Sequence, residues 1–382
     1  MDEKKKTVLI LIDWFAPGYK AGGPIQSCVN VAFALKENYV VKVLTTDTDY
    51  GTPVPYAGIE SDRWICNIDP AIQIFYAKKQ RLTASRIKQH LLNTQNDYLY
   101  LNLLFSPLFV IYPLWLKWKG IIQSKVVICP RGSLYENALL IKKYKKVPYL
   151  KVLKWMGIHK MVRFHATNER EKRAIMKHFP GSEIFVADNF PNMIQPPFLD
   201  VKKEPGKLRC IFVARVHPIK NLHLLLQILN EVKSEVKLTI VGPVEDKEYW
   251  IKCKSAIGAL PVNVSVQYNG PVPNQEIMYS LQENHLLVLP TSGENFGHSI
   301  FEALLAGRPV LISDQTPWHK LDELSIGWDL SLENKAGFAE TIDLVASMDQ
   351  ETFSRKARSA WEYARNFINN PDLKRQYFQL FS

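Results

Sequence analysis

Cysteine is scarce and poorly placed for chemistry: five thiols (Cys28, Cys66, Cys129, Cys210 and Cys253) are scattered over 382 residues, odd in number and without a CxxC pair. That excludes a disulfide framework and paired-cysteine zinc or redox sites, and points to a reducing cytoplasm. Low-complexity tracts and short repeats are missing, so the chain is neither disordered nor fibrous. Long apolar runs are almost absent. The N-terminal run ends at Asp13, too brief for a signal segment followed by a cleavage site, and is expected to form a first strand. Tyr98 to Leu116 is long enough to cross a bilayer, but Pro107 and Pro113 divide it. A buried strand over Tyr98–Asn102, a loop around Ser106 and Pro107, and a following helix are expected there. Acids are in deficit, 37 against 48 Lys and Arg, giving a formal net charge of +11. Such a balance suits a nucleotide, a nucleic acid or an anionic lipid surface, and charge alone does not choose among them.

With 47% hydrophobic residues, the chain is long enough for two domains of ordinary size. Strand-like runs at Thr7–Ile12, Val40–Leu44, Tyr98–Leu101, Val126–Ile128 and Arg163–Ala166 alternate with helical stretches, the rhythm of a parallel sheet. The rhythm breaks over Phe190–Glu204, where NFPNMIQPPFLDVKKEPG carries four prolines and a glycine. This reads as a linker. A second series follows at Leu208–Ala214, Val236–Val241, Val264–Tyr268, Leu286–Leu289 and Pro309–Ile312. The expectation is an α/β protein of two tandem Rossmann-like, doubly wound domains facing a central cleft, spanning 1–195 and 205–362. The helical segment 363–382 is expected to complete the first domain. Ligands in such folds sit on loops at the carboxyl ends of the strands.

Three of those loops carry polar chemistry. After the first strand, DWFAPGYKAGGPIQSC places Gly22 and Gly23 before a helix containing Gln26 and Ser27. Paired glycines allow a phosphate to approach the backbone at a helix N-terminus; a plain tight turn is the alternative. The spacing is not GxGxxG. In the second series FVARVHPIKN puts Arg215 and Lys220 between a strand and an amphipathic helix, where two cations can clamp a diphosphate and neutralise it as a leaving group. A solvated surface pair is the alternative, and Pro218 beside His217 reads as a helix start. The segment TSGENFGHSIFEALLAG sets Glu294 in the loop at a helix mouth and Glu302 about two turns down that helix. Carboxylates so placed can accept hydroxyls from two parts of one extended ligand, while the amides from Asn295 through Phe296 and Gly297 to Ser299 can hold phosphate. Ordinary capping acids would explain either glutamate separately.

Here the chain resembles the family-4 group of retaining glycosyltransferases of GT-B architecture, most strongly from Cys210 to Leu330. Its signature, a glutamate, seven residues and a second glutamate, is matched by Glu294 and Glu302, and its arginine and lysine element by Arg215 and Lys220. The resemblance implies that Arg215 and Lys220 clamp the diphosphate, that Glu302 accepts the ribose hydroxyls and that Glu294 meets the transferred sugar. It also implies that Gly22 and Gly23 lie beside the diphosphate and that His165, in FHATNERE, faces the donor sugar. Without the resemblance, His165 reads as a packed core histidine. Gly242 and Val272, with Gly270, are expected to line the nucleobase pocket. His298 stands where relatives vary. Front-face attack with the departing diphosphate taking the acceptor's proton is implied, with no dedicated base and no metal or other cofactor.

Asp47, Thr48 and Asp49 form a DxD string that elsewhere binds metal-diphosphate complexes; here it reads as the polar loop after a strand. Between Lys142 and Arg163 there are eight cationic residues and no acid, interleaved with Tyr144, Tyr149 and Trp155. Trp115, Lys117, Trp118 and Lys119 add to this mixture. It suits an interfacial helix on anionic lipid; a nucleic-acid surface lacks a reader motif, and a solvated basic face is the plain alternative. The expected activity is retaining transfer of a sugar from a nucleotide-diphosphate donor to a saccharide or lipid-linked saccharide in bacterial surface polysaccharide synthesis. Its place would be the cytoplasm or the inner face of the cytoplasmic membrane, with the loop Pro130, Arg131, Gly132 and Ser133 near the acceptor's entrance. An epimerase or inverting transferase on the same scaffold, and a non-catalytic nucleotide-sugar-binding subunit, are the alternatives.

Overall fold

The computed structural model describes residues 5–140, 142–191 and 195–382. Asn192, Met193 and Ile194, within the expected linker, lie outside the described residues. The chain divides into two compact units, residues 1–190 with 371–382, and residues 191–370.

Unit 1 is built on eight strands: β1 (Thr7–Leu11), β2 (Val40–Thr46), β3 (Trp64–Ile65), β4 (Ile72–Ala77), β5 (Tyr98–Asn102), β6 (Lys125–Cys129), β7 (Arg163–Ala166) and β8 (Glu183–Val186). They lie in the order β3-β4-β2-β1-β5-β6-β7-β8, parallel except for the short antiparallel pair β3 and β4. β1, TVLIL, and β5, YLYLN, are fully buried and largely apolar because both faces of a parallel sheet are covered. On one face Leu9, Leu11, Leu99 and Leu101 meet Leu114, Leu116, Leu150 and Leu153 from helices Tyr112–Trp118 and Lys143–Trp155. The other side receives the helix Pro371–Leu380: Phe381 packs edge-on against Tyr98 and Tyr100, and Tyr377 lies 4.2 Å from Phe190 between ring centroids. Tyr98–Leu116 divides into β5, a π-helical turn Pro107–Ile111 and the helix starting at Tyr112. Among the described residues no helix is long and apolar enough to cross a membrane.

Unit 2 carries six strands: β9 (Lys207–Val213), β10 (Glu235–Val241), β11 (Val264–Gly270), β12 (Leu286–Leu289), β13 (Val310–Ser313) and β14 (Gly327–Leu330). All are parallel, in the order β11-β10-β9-β12-β13-β14. The order reverses between β9 and β12, which sets the loops after those two strands side by side. Two observations shift the expected boundaries. Residues 195–204 belong to unit 2, anchored by Arg308, whose fully buried guanidinium donates to the Leu199 carbonyl at 2.9 Å. The helix Gln350–Ile368 also stays with unit 2 through Phe353, Ala357 and Ala364, and the return to unit 1 begins at Pro371.

Candidate active site

In unit 2 the loops after β9 and β12 are stitched together before any ligand is considered. After Val213 the chain passes Arg215 and makes a 3-10 turn, Pro218–Lys220, capped by His217, whose Nδ1 accepts from Ile219 N at 3.3 Å. Asn221 then takes the left-handed conformation, φ 55°, before the helix Leu222–Leu229. Its amide donates to Ser292 Oγ at 2.8 Å, while Ser292 N and Thr291 Oγ1 both donate to the Ile219 carbonyl. These bonds present Lys220 directly to Glu294, with Nζ 2.5 Å from Oε1 and the two side chains only 14% and 13% exposed. So placed, the ammonium keeps two further N–H donors for another anion.

Arg215 pairs with Glu245 on the loop after β10. That loop is held by backbone: Val216 N donates to the Pro243 carbonyl, Glu245 N donates back to the Val216 carbonyl, and Val216 and Val244 form a parallel bridge. Gly242 sits at φ 143°, where a Cβ would lie 2.0 Å from the Ala214 carbonyl, so close approach of the two loops demands glycine. Tyr268 Oη donates to the Gly242 carbonyl at 3.0 Å. Val272 packs partly against the core beyond β11.

The helix His298–Leu305 starts at Gly297, φ 82°, with no side-chain cap. A Cβ on Gly297 would lie 2.7 Å from Ile300 Cδ1, and an uncapped helix start of this kind favours anions. The Phe296 side chain turns inward against Phe301 and Trp318, and its carbonyl accepts from Trp318 Nε1. The backbone amide is therefore what Phe296 offers to a ligand. Glu302, in the second turn, is buried, and burial pushes its carboxyl up to about 8. It is protonated at neutral pH in the empty protein.

In unit 1, Gly22 (φ 69°) begins the helix Gly23–Leu35, again without a side-chain cap. The preceding loop is fastened by Asp49, whose carboxylate accepts from Tyr19 N and Lys20 N, while Asp47 accepts from Ser61 Oγ and Lys79 N. Both carboxylates of the DxD string are thus buried and engaged in holding loops. His165 is fully buried at the heart of a polar cluster: Nδ1 lies 2.7 Å from Tyr100 Oη, Nε2 lies 2.7 Å from the Ala187 carbonyl, and Tyr377 packs edge-on. A carbonyl partner requires the proton on Nε2, so Nδ1 accepts from the tyrosine and the ring is neutral. Burial pushes its pKa down to about 3. In this geometry the ring is a core group with both nitrogens occupied.

Two features go beyond the sequence reading, which gave Glu245 no role and placed Arg131 only near the acceptor's entrance. Glu245 as the partner of Arg215 is one. The other is Arg131, at φ 51° after β6, whose guanidinium donates to Asn102 Oδ1 at 2.9 Å, Asn189 Oδ1 at 2.8 Å and Tyr100 Oη at 3.2 Å. It ties β5, the segment after β8 and the His165 cluster into one network. Among the described residues no group of three or more His, Cys, Asp or Glu is arranged to hold a metal.

The loops after β9 and β12 and the helix that carries Glu302 lie within the segment that identifies the class. Residues 198–362 match the family described as glycosyl transferases group 1. The second unit therefore carries a group 1 glycosyltransferase domain, and the chain has the GT-B fold. Among solved structures it is similar to sucrose-phosphate synthase from Thermosynechococcus elongatus, at 14% identity and TM-score 0.72 over 99% of this chain and 98% of that one. It is also similar to Anabaena HepE in complex with UDP and glucose, at 15% identity and TM-score 0.68 over 98% and 99% of the two chains. WaaG, a glycosyltransferase involved in lipopolysaccharide biosynthesis, aligns at 14% identity and TM-score 0.64 over 96% of each chain. Identities this low speak for the fold alone. A curated relative, an uncharacterized 41.2 kDa protein in a cps region of Klebsiella pneumoniae, is 25% identical over 184 residues, and the match spans about half its length, 48%.

Proposed function

We propose that the chain is a retaining glycosyltransferase that moves a sugar from a nucleotide-diphosphate donor to a saccharide or lipid-linked saccharide in bacterial surface polysaccharide synthesis. The carrying observation is the contact between Lys220 and Glu294 at the mouth of the helix that bears Glu302. In this reading Arg215 and Lys220 take the diphosphate and stabilise its charge as it leaves, Glu294 meets the sugar hydroxyls, and Glu302 accepts the ribose hydroxyls. HepE's complex with UDP and glucose makes a uridine diphosphate sugar the first donor to test. WaaG's part in lipopolysaccharide biosynthesis and the cps-region relative support the surface-polysaccharide setting. The test is to incubate the protein with labelled donor and acceptor and read the product anomer by NMR. A product with the donor's configuration supports the reading; the inverted anomer overturns it.

Glu302 gives the donor site a pH signature. An acid with a folded pKa near 8 must lose its proton to accept two hydroxyls, so donor binding releases a proton and tightens roughly tenfold between pH 7 and 9. Titration calorimetry in buffers of different ionisation enthalpy should show this release, and Glu302→Gln should abolish it; a pH-independent affinity for the wild type counts against the role. The empty fold responds in the opposite sense. Because the folded pKa lies above the unfolded one, ionisation of Glu302 lowers stability as pH rises from about 4.5 toward 8. Glu302→Gln should remove that loss.

The lipid-linked acceptor draws support from the surface of unit 1. Helices Tyr112–Trp118 and Lys143–Trp155 bury their leucines against the same sheet face and leave Trp155 87%, Tyr144 73% and Trp115 41% exposed. Lys119 Nζ lies over the Trp118 and Trp115 rings at 4.6 and 5.9 Å. Aromatics flanked by lysines match the headgroup region of an anionic bilayer, where each cation contributes about 1 kcal/mol. Sedimentation with phosphatidylglycerol vesicles should carry the protein down, phosphatidylcholine vesicles should not, and Lys151→Glu with Lys154→Glu and Trp155→Ser should weaken binding at least tenfold. Equal recovery with both lipids would refute the surface.

A further inference from the structure

The arginine of the candidate clamp does not wait for its ligand uncompensated. Glu245 holds it through a side-chain ion pair, with the arginine 33% and the glutamate 23% exposed. The pairing is built rather than incidental. Two successive βα loops are locked by the Val216 and Val244 bridge and by two backbone bonds across it, and only glycine at position 242 lets them approach so closely. The neighbouring Asp246 is spent on capping the helix Lys247–Gly258, accepting from Tyr249 N at 2.9 Å, so Glu245 alone of the two acids faces the arginine. Lys220 carries a second carboxylate, Glu294. Both cations are therefore paired with a carboxylate, and the Arg215–Glu245 pair is accessible enough to exchange partners.

We propose that Glu245 is a built-in competitor for Arg215: the donor's diphosphate displaces it on binding, and its return to the guanidinium drives out the nucleoside diphosphate product. This rests on the reading that Arg215 holds the diphosphate. A carboxylate beside the incoming phosphates costs affinity twice, once by occupying the guanidinium's donors and once by like-charge repulsion. What is lost in affinity is returned as release rate, since a product that keeps both cations of the clamp leaves slowly.

The test measures UDP affinity by calorimetry, with ADP, CDP and GDP run beside it and each diphosphate set against its monophosphate, for the wild type, Glu245→Gln, Glu245→Ala and Arg215→Ala. A partly exposed pair of this kind corresponds to a change of about two- to fivefold. The expected result is that both Glu245 variants bind the preferred diphosphate about two- to fivefold more tightly. Their kcat falls together with KM, and inhibition by the nucleoside diphosphate product deepens by a similar factor. Unchanged or weaker diphosphate binding in both Glu245 variants, with Arg215→Ala weakened, overturns the competitor role while leaving the donor site standing. If Arg215→Ala binds all four diphosphates as the wild type does, the donor-site reading itself fails, and the role of Glu245 with it.

Discussion

Lys220→Ala is expected to lower kcat/KM by roughly 10²- to 10³-fold, the loss that follows removal of one preorganised charge from a site of this kind. The geometry gives the reason. Lys220 is the cation that the loop after β9 sends to an acid of the loop after β12, and its partner Glu294 is itself placed at the helix mouth. The substitution therefore removes a phosphate ligand and leaves a mostly buried carboxylate facing the same space. That second effect also costs stability, about 1–3 kcal/mol for a pair that retains some solvent. Glu294→Gln alone and Lys220→Met with Glu294→Gln separate the two. The double variant should recover most of the stability yet be no less active than either single one, because residues acting as a unit lose their joint effect once. Steady-state kinetics with thermal melts of each variant make the comparison, and wild-type-like turnover in Lys220→Ala would remove the site assignment.

Arg308→Met should produce the largest loss of stability in the second unit. The arginine is fully buried and donates to four carbonyls: Leu281 at 3.3 Å, Gly307 at 3.0 Å, Leu199 at 2.9 Å and Gln282 at 2.8 Å. It closes the carboxyl end of the helix Asn274–Gln282 and fixes the segment that leads into the unit. Burial lowers its pKa to about 10, so it remains charged at neutral pH. Methionine fills similar space but leaves four carbonyls without that donor, a cost of about 3–5 kcal/mol and roughly 10 °C in Tm. Differential scanning calorimetry checks it. A melt within a degree of wild type would mean that water or the backbone replaces the arginine at no cost.

Most of the strands were legible because strands covered on both faces are predominantly apolar, as β1, β5, β12 and the Cys210–Val213 stretch of β9 are. The strands that escaped notice lack that mark. β8 lies at the sheet edge, half-exposed, and opens on Glu183; β14 is four residues long and only half buried; β4 alternates at Gln73. The spacing of Glu294 and Glu302 could be read because both lie in one loop and helix, where position along the chain fixes position in space. Glu245 could not, since its place depends on a bridge between two loops about thirty residues apart in sequence. His165 shows the converse limit. A histidine in an apolar strand looks the same on paper whether its ring meets a ligand or, as here, Tyr100 and a backbone carbonyl.

The return of residues 371–382 to the first unit has a consequence for how the protein comes into being. A ribosome makes the whole of the second unit before it makes Tyr377 and Phe381, the rings that cover Tyr98, Tyr100 and His165. The first half to be synthesised is thus the last to be finished. While its sibling folds, it waits without the rings that cover Tyr98, Tyr100 and His165, and a nascent chain stalled short of Pro371 leaves those side chains open to whatever chaperone or neighbour finds them first.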